Sequence, residues 1–289
     1  MKVSPNATVS FFHRSPRFDP IVTHPTPKQK AQKYRFPHSL SVFFPAYNDA
    51  PSLPGLLATT FRVLRDHVED YEVIVVNDGS ADNTVAVLRE LQAQYGERLR
   101  VIRHPENRGY GGALQSGFRA ARKEFVFYTD GDGQYDVGEL PLLLKLSGPE
   151  VGLVNGIKSK RHDPLHRIWI GSVYNVFARR IFGISLQDID CDFRLIRRAT
   201  LDQIKLRSTS GTICVELVKK IEQTGTRVLE IPVTHRARLH GRSQFFRLQS
   251  LVKTFGQLAG LHWQLVARPW IGQKLGQPSY SERIGANLE

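Results

Sequence analysis

Asp130 and Asp132 flank Gly131 at the end of an apolar run, Phe125–Thr129. Two carboxylates at this spacing after a strand can both face outward if the glycine between them permits a turn. Such hard oxygen donors suit Mg²⁺ or Mn²⁺, ions that keep several waters and take phosphate oxygens from a substrate. Gln134 can add an amide oxygen. A metal held there would neutralise a phosphate leaving group as a Lewis acid. Asp-Gly is also a common turn, so the pattern needs company. A second cluster follows, with Asp188, Asp190 and Asp192 alternating ahead of Arg194, Arg197 and Arg198. An aspartate there would serve as general base toward a hydroxyl, and a guanidinium would grip a phosphate bidentately. The competing expectation is a salt-bridged loop in which these residues satisfy one another.

The elements that must position these groups show in the periodicity. Leu40–Phe44, Tyr71–Val76, Leu99–Ile102 and Phe125–Thr129 are apolar or β-branched runs of strand length. Between them lie helical patterns: Leu53 to Val68, a helix capped by Asp82 or Asn83, and a segment from the Gly-rich turn Asn107–Gly112 through Ala121. This order predicts an α/β doubly wound, mostly parallel sheet with helices on both faces. Ligands bind such sheets beyond the carboxyl ends of the strands. The strand ends Pro45–Asp49, Asn77–Ser80 and Asp130–Gln134 are polar and should converge there. Later, Gly152–Asn155, Asp192–Arg197 and Arg227–Ile231 read as strands, Ile213–Ile221 as a helix and Trp169–Phe182 as an amphipathic segment. Lys158–Arg167 reads as a basic loop. Phe245–Val266 repeats apolar residues at helical spacing, with Arg247, Lys253, Trp263, Arg268 and Trp270 suited to a membrane interface or a packed core. Residues 1–38, rich in proline, read as a loose basic tail; 39–245 as one domain; 246–289 as an amphipathic helix and tail.

The chain has 289 residues, 40 Lys+Arg against 27 Asp+Glu, and a formal charge of +13. That balance attracts polyanions: nucleic acid, nucleotide phosphates or anionic headgroups. Two cysteines are too few for a disulfide scaffold and show no zinc spacing. No run reaches the roughly 20 apolar residues that span a bilayer. Lys2, His13, Arg14 and Arg17 interrupt any signal-like segment. The expected setting is cytoplasmic, free or peripheral on the inner face of the membrane.

Phe44-Pro-Ala-Tyr-Asn-Asp49, Val76-Asn-Asp-Gly-Ser80, Asn107-Arg-Gly-Tyr-Gly-Gly-Ala113 and Tyr128-Thr-Asp-Gly-Asp-Gly-Gln134 occur in that order. Together they resemble family 2 glycosyltransferases of the GT-A fold. They look most like the branch of dolichyl-phosphate mannose synthase and bacterial polyprenyl-phosphate glycosyltransferases. The resemblance covers roughly residues 40–245. It implies inverting transfer from a UDP- or GDP-sugar, with Mg²⁺ or Mn²⁺, to a polyprenyl-phosphate lipid. By motif, Pro45, Ala46, Tyr47 and Asp49 would line the nucleotide pocket, where the family usually has Glu at the position of Asp49. Asp78 would bind base or ribose, and Arg108 and Gly109 would lie near the nucleotide. Asp130, with Gly131 beside it, would approach ribose and metal; Asp132 and Gln134 would ligate the metal. Asp188–Arg198 looks like the family's GDFR segment, with Cys191 in place of its Gly. Arg194 would then face the acceptor phosphate, and Asp192 would be the candidate base, with Asp188 and Asp190 competing. Lys158, Lys160, Arg161, His162 and Arg167 would draw in a lipid phosphate. Arg236, Arg238, His240, Arg242, Ser243 and Gln244 resemble a late R-x-x-G-x-S segment that closes over phosphates, hinged at Gly241.

Three alternatives stand beside this reading. One is transfer to a saccharide or other soluble hydroxyl acceptor. Family relatives that act on lipids often continue into spanning helices, which leaves the acceptor open. A nucleotidyltransferase would also use paired aspartates but needs a Gly-rich basic signature near the first strand. A basic nucleic-acid-binding module would interleave aromatics with Lys and Arg on one surface. The carboxylates instead gather where a polyanion would be repelled, so no nucleic-acid partner is expected. Lone histidines such as His67, His104 and His262 are read as surface or core residues.

Overall fold

The computed structural model describes residues 34–161, 165–237, 256–268 and 270, with backbone alone for 160–161 and 165–170. Seven strands form one mixed sheet. They are β1 (Leu40–Ala46), β2 (Tyr71–Asn77), β3 (Leu99–Arg103), β4 (Phe125–Thr129), β5 (Val151–Arg161), β6 (Phe193–Arg197) and β7 (Arg227–His235). Their order is β3-β2-β1-β4-β6-β5-β7. β3, β2, β1 and β4 are parallel; β6 runs antiparallel to both β4 and β5; β7 is parallel to β5. The helices are α1 (Leu53–His67), α2 (Thr84–Tyr95), α3 (Tyr110–Ala120), α4 (Leu140–Leu146), α5 (Leu165–Phe182), α6 (Arg198–Asp202) and α7 (Ile213–Gln223). A last helix, α8, covers 256–268 and widens into π turns at Trp263–Ala267.

Alternation along the buried strands divides the core in two. Val42, Phe44, Val73, Val75, Phe125 and Phe127 pack with α1 and α4. Phe43, Ile74, Val76, Val126 and Tyr128 face the other way, toward α3, α5, α7 and α8. Both faces are therefore covered, which explains why these strands read as continuous apolar runs.

Two boundaries differ from the sequence reading. The tail ends earlier than residue 38. Phe36 is buried, its N–H donates to His67 O at 2.7 Å, and its ring meets Phe125 edge-on at 5.2 Å. Tyr34 donates its hydroxyl to Leu144 O at 3.1 Å. An aromatic anchor outweighed the proline-rich composition around it; residues 1–33 lie outside the described set. Next, Lys158–Arg161 is not loop but the continuation of β5, paired with Val233–His235 of β7. The run of basic residues hid a strand whose partner lies far along the chain. For α8, of the two placements expected, the structure shows packing on the domain. Leu258 and Leu261 are buried, His262 meets Phe182 at 5.6 Å, and Gln223 Nε2 donates to Leu265 O at 3.2 Å. Its buried face centres on Leu258 and Leu261, while Ala259 is exposed. Residues 245–255 lie outside the described set. At the start of α2 the N-cap position is Asn83, which makes no side-chain capping bond, while Asp82 just before it accepts from Thr84 N at 3.0 Å.

Candidate active site

The site lies beyond the carboxyl ends of β1, β2 and β4, where backbone bonds knit the strand ends together. Gly131 N donates to Pro45 O at 3.0 Å, Asp78 N to Ala46 O at 2.9 Å, and His104 N to Asn77 O at 2.9 Å. A Cβ at Gly131 would come within 2.8 Å of Pro45 O, so only glycine lets the Asp130–Asp132 turn lie against β1. Asn48 takes a left-handed φ of 58°. Its N–H donates to Ser80 Oγ at 3.0 Å, and its Oδ1 accepts from Ala81 N at 2.9 Å. Pro45, Ala46, Tyr47 and Asp49 thus line one rim, with Asp49 buried and accepting from Tyr47 N at 3.0 Å.

On the next strand, Asp78 is buried and accepts from Arg108 N at 2.9 Å, tying β2 to the Gly-rich turn. Arg108 is exposed beside it. Gly109 has a φ of 82°, and a Cβ there would meet Thr209 O at 2.5 Å. The turn is therefore pressed against the 208–209 loop, and Gly111 N donates to Thr209 O at 2.9 Å. Tyr110, at the start of α3, donates its hydroxyl to Asp130 Oδ1 at 2.8 Å.

Asp130 is the electrostatic focus. Burial first, then the charges of Asp192 and Asp132, push its carboxyl well above the usual range; the Tyr110 bond works the other way, and Asp49 adds to the rise. Carboxylates from β1, β4 and the start of β6 therefore crowd one another, an arrangement that calls for a cation. Among the described residues no three His, Cys, Asp or Glu groups make a complete metal cage. An Asp-x-Asp pair completed by water and substrate phosphates is nonetheless the donor set that Mg²⁺ or Mn²⁺ accepts. Asp132 Oδ1 accepts from Gln134 N at 3.0 Å. Gln134 Nε2 donates to Arg236 O at 3.0 Å, and Gln134 O accepts from Arg236 N at 2.8 Å. Gln134 thereby links the aspartate turn to the segment entering the late basic motif. Arg242 and Ser243 of that motif lie outside the described residues.

The acceptor-side residues divide. Asp192 stands beside Asp130, buried, accepting from Tyr128 OH at 3.0 Å and Arg194 Nη1 at 2.9 Å. Asp188 is turned toward β5 instead, accepting from Lys158 N at 3.1 Å. Lys158 is itself largely buried, with Nζ 3.7 Å from Asp188 and 3.5 Å from Asp190. It is a structural cation rather than part of an exposed phosphate lure. The backbone of Arg161 ends β5 opposite His235.

Arg194 corrects an expectation. It is fully buried and gives its donors to Asn155 Oδ1 at 2.7 Å, Tyr128 OH, Asp192 Oδ1 and Ile189 O. A guanidinium so enclosed positions Asp192 and does not reach an acceptor phosphate. The register explains it, since Tyr128, Arg194 and Asn155 are neighbours in one row across β4, β6 and β5. Arg197 and Arg198 pair elsewhere, with Glu124 at 3.1 Å and Asp202 at 3.2 Å. The three arginines therefore do not form one network. Sequence reasoning missed Tyr110, Tyr128, Asn155 and His104 as contributors. Tyr110 could have been found, since it lies inside the Gly-rich motif; the others depend on strand pairing.

The model for glycosyl transferase family 2 matches residues 41–205. The chain belongs to that family. Undecaprenyl-phosphate 4-deoxy-4-formamido-L-arabinose transferase of Pseudomonas fluorescens (strain SBW25) is 30% identical over 217 residues, 74% of this chain and 63% of that protein. The like-named protein of Aeromonas hydrophila is 28% identical over 71% of this chain and 62% of its own length. The chain thus spans somewhat under two thirds of these curated relatives. Among solved structures, glucosyl-3-phosphoglycerate synthase from Mycobacterium tuberculosis with uridine diphosphate superposes with a TM-score of 0.59 at 19% identity, covering 79% of this chain and 80% of that one. A mannosyltransferase from Pyrobaculum calidifontis with GDP-Man and Mn²⁺ gives 0.56 at 22% identity, covering 88% and 74%. These likenesses confirm the α/β GT-A fold of this family 2 member.

Two outcomes are expected. Arg194→Ala should cost about 3–5 kcal/mol, because it leaves Asp192 buried without its cation. Lys should not replace it, since one ammonium cannot serve four acceptors in a plane. Chemical denaturation reads this; unchanged stability with a raised acceptor KM would return Arg194 to the acceptor site. Asp130 binds a proton more tightly folded than unfolded. Its stabilising contribution is full below about pH 4 and is lost as pH rises through its raised native value. Metal-free protein should therefore melt lower with rising pH in a way that Asp130→Asn suppresses. Added Mn²⁺ should raise the wild-type Tm more at high pH than at low, and leave the variant unmoved.

Proposed function

We propose that this family 2 member is an inverting glycosyltransferase. It moves a sugar from a UDP- or GDP-sugar to a polyprenyl phosphate with the help of Mg²⁺ or Mn²⁺. The observation that carries the reading is the crowding of Asp130, Asp132, Asp192 and Asp49 beyond the strand ends. Asp78, Arg108, Tyr47 and the rim at Pro45–Asp49 would hold the nucleotide. Asp132 with Asp130 would hold the cation, which supplies charge neutralisation for the diphosphate leaving group; Gln134 positions this turn against Arg236. A bond forms between the acceptor oxygen and the anomeric carbon as the bond to the diphosphate breaks, which inverts that carbon.

A phosphate acceptor is already ionised and requires no base. The names of the curated relatives support such an acceptor. A surface feature supports a lipid setting as well. Among the described residues no helix is long and apolar enough to cross a membrane. Yet Val173, Val176 and Phe177 on α5 and Trp263 and Trp270 around α8 are 40–56% exposed. Arg180 and Arg268 lie on the same two helices, which suits an anionic bilayer face. The second reading, a soluble hydroxyl acceptor, draws on Asp192, which stands beside Asp130 where a base would be needed.

Incubation with Mn²⁺ and a panel of UDP- and GDP-sugars, with and without polyprenyl phosphate, is expected to give lipid-dependent transfer. Asp132→Asn should lower turnover at least about 100-fold, the scale of losing a charge-stabilising group, without unfolding. Absence of transfer or donor hydrolysis in every combination refutes the enzyme reading. Vesicle flotation tests the surface: wild type should bind phosphatidylglycerol vesicles, and Val176→Asp with Phe177→Asp should bind about 10-fold less. Transfer to sugars without any vesicle binding would favour the soluble acceptor.

A further inference from the structure

His104 is nearly enclosed, its side chain 3% exposed. Its Nδ1 lies 2.6 Å from Asp78 Oδ1 and its Nε2 2.9 Å from Ser116 Oγ on α3. A carboxylate accepts and does not donate, so Nδ1 carries the proton. Arg119 Nη2 donates to Ser116 Oγ at 3.4 Å, orienting that hydroxyl toward the ring. Arg108 N donates to the same Asp78 Oδ1 at 2.9 Å. Both lone pairs of Oδ1 are thereby used. Among the described residues no group bonds Asp78 Oδ2, although the side chain is only 5% exposed. The result is a carboxylate held rigidly by one oxygen, with a single oxygen left for a ligand.

We propose that His104, braced by Ser116, is the residue that positions Asp78 to read the donor's base, and that the base selected presents one ring N–H, as uracil does. This rests on the nucleotide-sugar reading above and names the donor within it. Guanine presents two parallel N–H groups on its pairing edge, which match both oxygens of a carboxylate side by side. Here Oδ1 has no lone pair left for the second, so guanine would bury an unpaired donor at a real cost. Uracil's N3–H needs Oδ2 alone. Without His104 the carboxylate could rotate, exchange its oxygens and lose that discrimination. Ser116, Arg119 and His104 touch no reacting atom; they act through Asp78.

Calorimetric titration of UDP, GDP and N3-methyl-UDP in the presence of Mn²⁺ tests this without any acceptor. Wild type is expected to bind UDP about 10- to 100-fold more tightly than GDP or N3-methyl-UDP, the range for a buried bond to a charged group. His104→Ala should lose most of that preference by weakening UDP. His104→Asn, whose amide nitrogen stands where Nδ1 does, should restore part of it, and Ser116→Ala should fall between. In turnover the loss should sit in the donor KM, not in kcat, which a merely structural role would not select. Equal or tighter binding of GDP by wild type overturns the proposal, as does unchanged UDP affinity in folded His104→Ala. If His104→Ala does not fold, Ser116→Ala and the N3-methyl probe decide. If wild type binds neither nucleotide, the nucleotide-sugar reading itself fails, whereas UDP binding indifferent to His104 removes only this inference.

Discussion

A buried guanidinium organises this molecule. Arg194 sits between β4 and β5 with no contact to water, and its charge is tolerable only because Asp192, Tyr128, Asn155 and the Ile189 carbonyl surround it. The same bonds fasten the one antiparallel strand, β6, into an otherwise parallel sheet. They also hold Asp192 at the point where β6 begins, beside the end of β4. Because β6 runs backward, its first residues meet the last residues of β4. That reversal brings an aspartate from residue 192 to one from residue 130.

Around this centre the cleft is built from interlocked loops. The Asp130–Asp132 turn lies on the backbone of β1, the Asp78 turn on that of β1 and β3, and the Gly-rich turn on the 208–209 loop. Each loop thus takes its shape from another. The aspartate turn also reaches Arg236, so the start of the late basic segment is tied to the Asp130–Asp132 side of the cleft. Rigid backing of this kind lets a few carboxylates be held near one another at a cost in repulsion that a bound cation would relieve.

Much of this architecture was legible beforehand, and the reasons are local. Val73–Val76 and Phe125–Tyr128 are apolar at every position because both sheet faces are covered, and that shows in the letters. What misled was composition used as a guide to packing. Phe36 anchors a segment that proline and lysine made look loose. Lys158 resembled a surface lure but is a buried counter-ion for Asp188 and Asp190. His104 looked like any isolated histidine until the fold placed Asp78 and Ser116 at its two nitrogens.

By itself, the sequence determined the strands and helices, the polar strand ends and the Asp-x-Asp pair. Each is encoded within a few consecutive residues by periodicity and turn chemistry. The tertiary structure alone decided which charged groups face the cleft and which serve one another. Asp188, Asp192 and Arg194 lie within seven positions, yet they turn to β5, to the cleft and to the core. Their orientations follow from which strand pairs with which and in what register. A row such as Tyr128–Arg194–Asn155 joins residues too distant in the chain for any local pattern to reveal.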